Sequence, residues 1–137
     1  MTSDRIEGPG PDAPNILIVD DSAMMRAMIK RVASVAGMPV GAIYEAANGR
    51  EALAILEQHP VQFVFTDINM PVMSGIELLE RLAGDARWKD VIRVIISTDG
   101  SEARRTAAAA LDVHLYVEKP FRPEVMRDVL AQLTVAR

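Results

Sequence analysis

NILIVDDS, residues 15–22, decides how this chain reads. Residues 15–19 form a short apolar run that lacks the polar alternation of a half-buried strand, and it stops abruptly on Asp20 and Asp21. A strand of that kind is expected to be covered on both faces by helices. Three more runs end the same way: VQFVFT (61–66) on Asp67, VIRVII (91–96) on Ser97, and VHLYV (113–117) just before Lys119. If the four lie parallel in one sheet, three carboxylates, a hydroxyl and an ammonium meet at one crevice. Such a crevice suits a hard cation and a phosphoryl group rather than a large apolar ligand.

Helical patterns fill the gaps between the strands. In 22–36, Met25, Met28, Ile29, Val32 and Ala36 recur every three or four residues, and Gly37 and Pro39 are expected to end the helix. A weaker strand at 42–46 follows, and Asn48 can cap a helix carrying Leu53, Ile55 and Leu56. After Asp67 and the loop INMPVM, Ser74 with Glu77 three residues on matches a capping box, and Ile76, Leu79 and Leu82 mark the inner side of a third helix. Residues 101–110 read as an alanine-rich helix with only small side chains to bury. Pro123 suits the first turn of a last helix, whose Val125, Val129, Leu130 and Leu133 are expected to cover the sheet. Five alternations of strand and helix give an α/β fold, a doubly wound five-stranded parallel sheet in a three-layer sandwich.

Composition narrows the function. Of 137 residues, 50% are hydrophobic and 25% charged, enough for one domain with a real core. There is no cysteine, so disulfides, thiolate metal sites and cysteine nucleophiles are excluded. A net charge of -4 and an isoelectric point near 5.1 argue against a nucleic-acid surface. Arg104, Arg105, Arg122 and Arg127 alternate with Glu102, Glu118, Glu124 and Asp128, which reads as a solvated face. No apolar run reaches membrane-spanning length, and MTSDRIEGPGPDAP (1–14) reads as a flexible leader without a signal-peptide core; a cytoplasmic location is the default expectation.

Taken one at a time, the polar strand ends fit helix caps and surface ion pairs. Their joint placement favours a site. Clustered carboxylates repel one another, and a magnesium or manganese ion would give them a common task. In that reading Asp67 accepts a phosphoryl group as nucleophile, Asp20 and Asp21 hold the metal, and Lys119 and Ser97 meet the phosphoryl oxygens.

The segments ILIVDDSAMMR (16–26), FVFTDINMPVMSGIELL (63–79), VIRVIIST (91–98) and YVEKPF (116–121) together resemble the receiver domain of two-component response regulators, in particular the single-domain, CheY-like chemotaxis type. The likeness runs over residues 15–135 and implies strand order 2-1-3-4-5 in a flavodoxin-like fold. It implies Asp67 as phosphoacceptor, Asp20 and Asp21 as the acidic pair, Lys119 as the phosphoryl-binding lysine and Ser97 as the hydroxyl switch. Tyr116 falls on the aromatic switch position, and the backbone carbonyl of Asn69 joins the carboxylates around Mg2+, for which Mn2+ can substitute. The implied protein is not an enzyme in the ordinary sense but a phosphorylation-controlled signalling module that assists its own phosphoryl transfer and dephosphorylation. Its partners would be a sensor histidine kinase or histidine phosphotransfer protein and a downstream protein such as the flagellar motor switch. It is expected to be a monomer that can associate on activation, with no nucleic acid and no membrane insertion.

Some positions depart from the family pattern. Ser74 stands where aspartate is frequent, Asp112-Val113 replaces a frequent Gly-Ala pair, and Thr98-Asp99 alters the site entrance. A phosphate sink or shuttle in a multistep phosphorelay would use the same site. A haloacid-dehalogenase-like phosphatase fits less well, because Asn69 occupies the place of its general-acid aspartate. Flavodoxin-like cofactor binding lacks a phosphate loop after the first strand, where Asp20-Asp21-Ser22 stands. His114 reads as a surface or strand-edge residue, Trp88 as packing before the fourth strand, and Met24, Met25, Met70 and Met73 as gap fillers or an adaptable surface.

Overall fold

The computed structural model describes residues 13–35, 40–119 and 121–136. Five parallel strands, β1 (Ile16–Val19), β2 (Ile43–Ala46), β3 (Phe63–Thr66), β4 (Ile92–Ser97) and β5 (Leu115–Glu118), form one sheet in the order β2-β1-β3-β4-β5. Five helices alternate with them: α1 (Ala23–Val35), α2 (Gly49–Gln58), α3 (Gly75–Ala83), α4 (Glu102–Ala109) and α5 (Pro123–Ala136). The order reverses direction beside β1, so β1 and β3 open a crevice between their C-terminal ends. Val19 pairs with Thr66 in the register, which puts Asp20 and Asp67 side by side.

Side chains alternate between two cores. Ile16, Ile18, Phe63, Phe65, Val94 and Ile96 face α1 and α5, whereas Leu17, Val19, Val64 and Ile95 face α2, α3 and α4. Both faces are therefore covered, as the unalternating strand sequences require. On α3, Leu78, Leu79 and Leu82 are wholly buried, and burial of each stabilises the fold by roughly 1.5–3 kcal/mol. The capping box forms in full: Ser74 Oγ accepts from the Glu77 amide and Glu77 accepts from the Ser74 amide. Asn48 likewise caps α2 by accepting from the Glu51 amide. On α4 the inner face offers Ala108 as its one buried residue, matching the weak burial expected of that helix.

Several details differ from the sequence reading. Met28 and Val125 are 46% and 37% exposed; in α1 the stripe turned to the sheet is narrower than the apolar spacing implied, built on Met25, Ile29, Val32 and Ala33, and in α5 Val129 is buried against the same core. Strand β5 starts at Leu115, two residues later than expected. Asp112 takes up the left-handed conformation at φ 60° and Val113 donates to the Ala108 carbonyl, so this pair completes the α4 turn. That is where a glycine would be least strained. A 3-10 turn at Ala86–Trp88, capped by Asp85, adds an element that the apolar periodicity does not signal, and it carries the buried Trp88. Arg93 is the least expected core residue, 2% exposed, with Nη2 donating to the Trp88 carbonyl at 2.8 Å. Its backbone amide donates to Nδ1 of the exposed His114, which thus sits at the strand edge as expected.

Residues 1–12 of the expected leader, Ala36, Gly37 and Pro39 at the end of α1, and Pro120 lie outside the described residues, as do the side chains of Leu130 and Leu133. Among the described residues no helix is long and apolar enough to cross a membrane.

Candidate functional site at the strand ends

Asp20 extends β1, Asp67 extends β3 and Lys119 follows β5, so the sheet delivers all three to its C-terminal edge. Asp20 is 2% exposed: its amide donates to the Ala46 carbonyl, and its Oδ1 accepts from the Ser22 amide at 2.9 Å, which starts the turn into α1. Asp67 donates its amide to the Val19 carbonyl, and its Oδ1 accepts from the Ile68 amide at 2.6 Å. Lys119 Nζ then bridges the two acids, 2.9 Å from Asp20 Oδ2 and 3.1 Å from Asp67 Oδ2. Burial by itself would lower the lysine's proton affinity, but its hydrogen bonds to the two carboxylates outweigh that and hold its pKa above the usual lysine value.

Asp21 is exposed on the rim, yet one oxygen each from Asp20, Asp21 and Asp67 lie within 4.8 Å of one another. An all-oxygen, carboxylate-rich donor set of this spacing fits magnesium or manganese and does not suit zinc or copper. Asn69 lies exposed in the loop that leaves Asp67.

Gly75 fixes that loop. Its amide donates to the Ile68 carbonyl at 2.8 Å, and a Cβ built on it would lie 1.9 Å from the Asp67 carbonyl oxygen. Because the obstacle is backbone, the loop that carries Asp67 must move to admit a methyl group. Gly75→Ala is therefore expected to cost about 3 kcal/mol of stability despite alanine's better helix propensity. Urea unfolding checks this; an unchanged midpoint would refute the close approach.

Ser97 is fully buried at the end of β4, with Oγ accepting from the Asp99 amide at 3.1 Å and its carbonyl accepting from the Lys119 amide at 2.8 Å. It shares the crevice end of the sheet with the acids, but its hydroxyl is engaged by the β4–α4 loop. On β5, the Tyr116 hydroxyl donates to the Asp99 carbonyl in the same loop. Burial, reinforced by the Asp99 charge, raises the Tyr116 pKa above the ordinary tyrosine value.

Two arginines complete this corner and were missed in the sequence, where they read only as part of a mixed-charge surface. Arg105 lies over the Tyr116 ring with its Cζ 4.6 Å from the centroid, inside the roughly 6 Å reach of a cation–π contact, and it also reaches the Gly100 carbonyl and Glu118. Arg104 pairs with Asp99 at 3.3 Å. Opposite-charge spacing was the available signal, but it could not reveal a cation stacked on a ring.

The family model of the response regulator receiver domain matches residues 16–131. The chain is 35% identical over 116 residues to the chemotaxis protein CheY1 of Helicobacter pylori, covering 84% of this chain and 92% of that protein. It is also 35% identical over 118 residues to the chemotaxis protein CheY of Pseudomonas aeruginosa, covering 86% and 94%. Among solved structures, the chemotaxis response regulator CheY4 of Vibrio cholerae superposes with a TM-score of 0.78 at 29% identity, over 88% of this chain and 98% of that one.

Proposed function

The chain belongs to the response regulator receiver domain family, and from that premise we propose that it accepts a phosphoryl group on Asp67 from a phosphohistidine of a sensor kinase or phosphotransfer protein. As a receiver of CheY type it is a phosphorylation-dependent signalling protein, and chemotaxis is the setting its relatives favour. The observation that carries the reading is the lysine bridge: Lys119 Nζ holds the buried Asp20 and the acceptor Asp67 together beside a third carboxylate. The receiver unit is taken to run from residue 15 to 135, with 1–14 as a leader.

In the transfer, a carboxylate oxygen of Asp67 attacks phosphorus, an O–P bond forms and the P–N bond to the donor imidazole breaks. The bond electrons leave with that ring nitrogen, which a proton then neutralises. The product is an acyl phosphate on Asp67. Asp20, Asp21, Asp67 and the Asn69 carbonyl would hold a magnesium ion, which supplies positive charge beside the carboxylates and the phosphoryl oxygens. Lys119 brings a second cation, already aligned on Asp67 and free to follow the new phosphoryl oxygens. Ser97 can turn its hydroxyl toward the phosphoryl group, which would release the Asp99 amide and disturb the loop that Tyr116 holds. The surface of α4, β5 and α5 would thereby report the charge at Asp67 to a downstream protein.

The test is incubation with magnesium and acetyl phosphate, followed by intact-mass measurement. One phosphoryl adduct is expected, absent when a chelator replaces the metal. Borohydride reduction and peptide mapping should then find homoserine at position 67. No adduct under conditions that label another receiver would overturn the proposal.

A further inference from the structure

A groove between α2 and α3 is not used by the strand-end chemistry. Its upper part, about 450 Å³, is lined by Arg50, Leu53, Glu57, Val72, Met73 and Arg81 among others, and none of the crevice residues contributes. A lower part of about 300 Å³ shares Leu53, Glu57 and Arg81 and reaches Trp88. Three observations point to a ligand in it. Arg50 and Arg81 are exposed, and neither has an ion-pair or hydrogen-bond partner among the described residues. Of the acids that line the groove, Glu57 and Asp85 are both paired with Arg87. Glu80 lines the lower part but not the upper.

Arg50 is also in an unfavourable place for the fold alone, a cation in the first turn of α2, where the helix dipole favours negative charge. Val72 is 70% exposed and holds φ 68°, a conformation a β-branched residue rarely adopts. Met73 is fixed beside it: its carbonyl accepts from the Gly49 amide at 2.9 Å, and a Cβ on Gly49 would lie 2.7 Å from Met73 Cγ. The groove thus pairs a held apolar wall with two unmatched guanidinium groups, on a chain whose net charge is -4.

We propose that the α2–α3 groove is a docking site for an acidic protein segment with an apolar anchor. The anchor would lie against Leu53, Val72 and Met73, and its carboxylates would meet Arg50 and Arg81 in forked hydrogen bonds. The apolar wall favours a peptide over a phosphodiester strand, which offers charge without such an anchor. A segment docked there leaves the crevice open, so the contact would not compete with the phosphodonor. This inference goes beyond the proposed phosphoryl chemistry and does not depend on it.

Trp88, the one tryptophan of the chain, lines the lower groove and provides the readout. The probe is a short blocked peptide with two leucines set among glutamates. A saturable change in Trp88 emission is expected, weakened about tenfold in the Arg50→Ala/Arg81→Ala double variant. Circular dichroism and the magnesium-dependent mass adduct should be unchanged in that variant, which separates failure of this site from failure of the receiver chemistry. An equal response to a peptide with lysine in place of glutamate, or with glycine in place of leucine, would overturn the proposal. So would a response to a double-stranded oligonucleotide in place of the peptide, or binding that survives both arginine substitutions.

Discussion

Asp67→Asn is expected to leave a folded protein that gains no phosphoryl adduct from acetyl phosphate and magnesium. The substitution preserves shape but leaves a carboxamide, whose oxygen is a poor nucleophile toward phosphorus and cannot form the acyl phosphate. Its effect on stability should be small because two changes oppose each other. In the wild type, one carboxylate oxygen accepts from the Ile68 amide and the other from Lys119 Nζ. An amide has a single acceptor oxygen, so one of these hydrogen bonds is lost, worth about 1 kcal/mol. Against that, one negative charge leaves a cluster whose oxygens lie within 4.8 Å of one another. Urea unfolding should place the variant within about 1 kcal/mol of the wild type, so the missing adduct reports chemistry and not collapse. An adduct formed by Asp67→Asn at the wild-type level would remove Asp67 from its proposed role.

The part of this outcome that could be read from sequence is the part written locally. A strand that lacks alternation and ends on a carboxylate states both its burial and the chemistry at its tip. Parallel crossovers then bring such tips together whatever the details of packing. The caps at Asn48 and Ser74 were legible for the same reason, since donor and acceptor are three residues apart. Contacts made across the fold left no such trace. Lys119 meets Asp20 across 99 residues and Asp67 across 52, so the bridge follows only once the strand order is known.

Arg93 shows the limit most clearly. VIRVII reads only as an apolar run ending on Ser97, and nothing in it says where its arginine goes: the guanidinium is buried against the backbone carbonyl of Trp88, and carbonyl acceptors have no sequence signature. Met28 fails differently: apolar spacing finds the axis of a helix stripe but not its width, and Met28 lies beyond the edge. At β5 an apolar Val113 looked like strand, while the left-handed Asp112 before it was already committed to closing α4.

Lys119→Met should be the most damaging single change to stability in the metal-free protein. Methionine keeps most of the aliphatic volume, so the loss is chiefly one of charge. The lysine side chain is 10% exposed and the Asp20 side chain it contacts 3%, which places the pair well inside the surface. Removing one member of a buried pair leaves the other charged and uncompensated, at a cost of about 3–5 kcal/mol. Here two carboxylates lose the same partner. The pH dependence gives a second check. The folded-state pKa of Lys119 lies above its unfolded value, so its contribution is fully present below the unfolded value, near 10.4 for an ordinary lysine. It is lost only as pH rises through the higher folded-state value. The stability gap between wild type and variant should therefore be constant from neutral pH to about pH 10 and narrow above it. Adding Asp20→Asn to Lys119→Met removes one of the stranded charges and should recover part of the loss, since the two residues are in direct contact. Urea unfolding of the single and double variants across this range decides the matter: a gap below about 1 kcal/mol at pH 7, as for an exposed ion pair, would mean that Lys119 is not the buried cation on which both carboxylates depend.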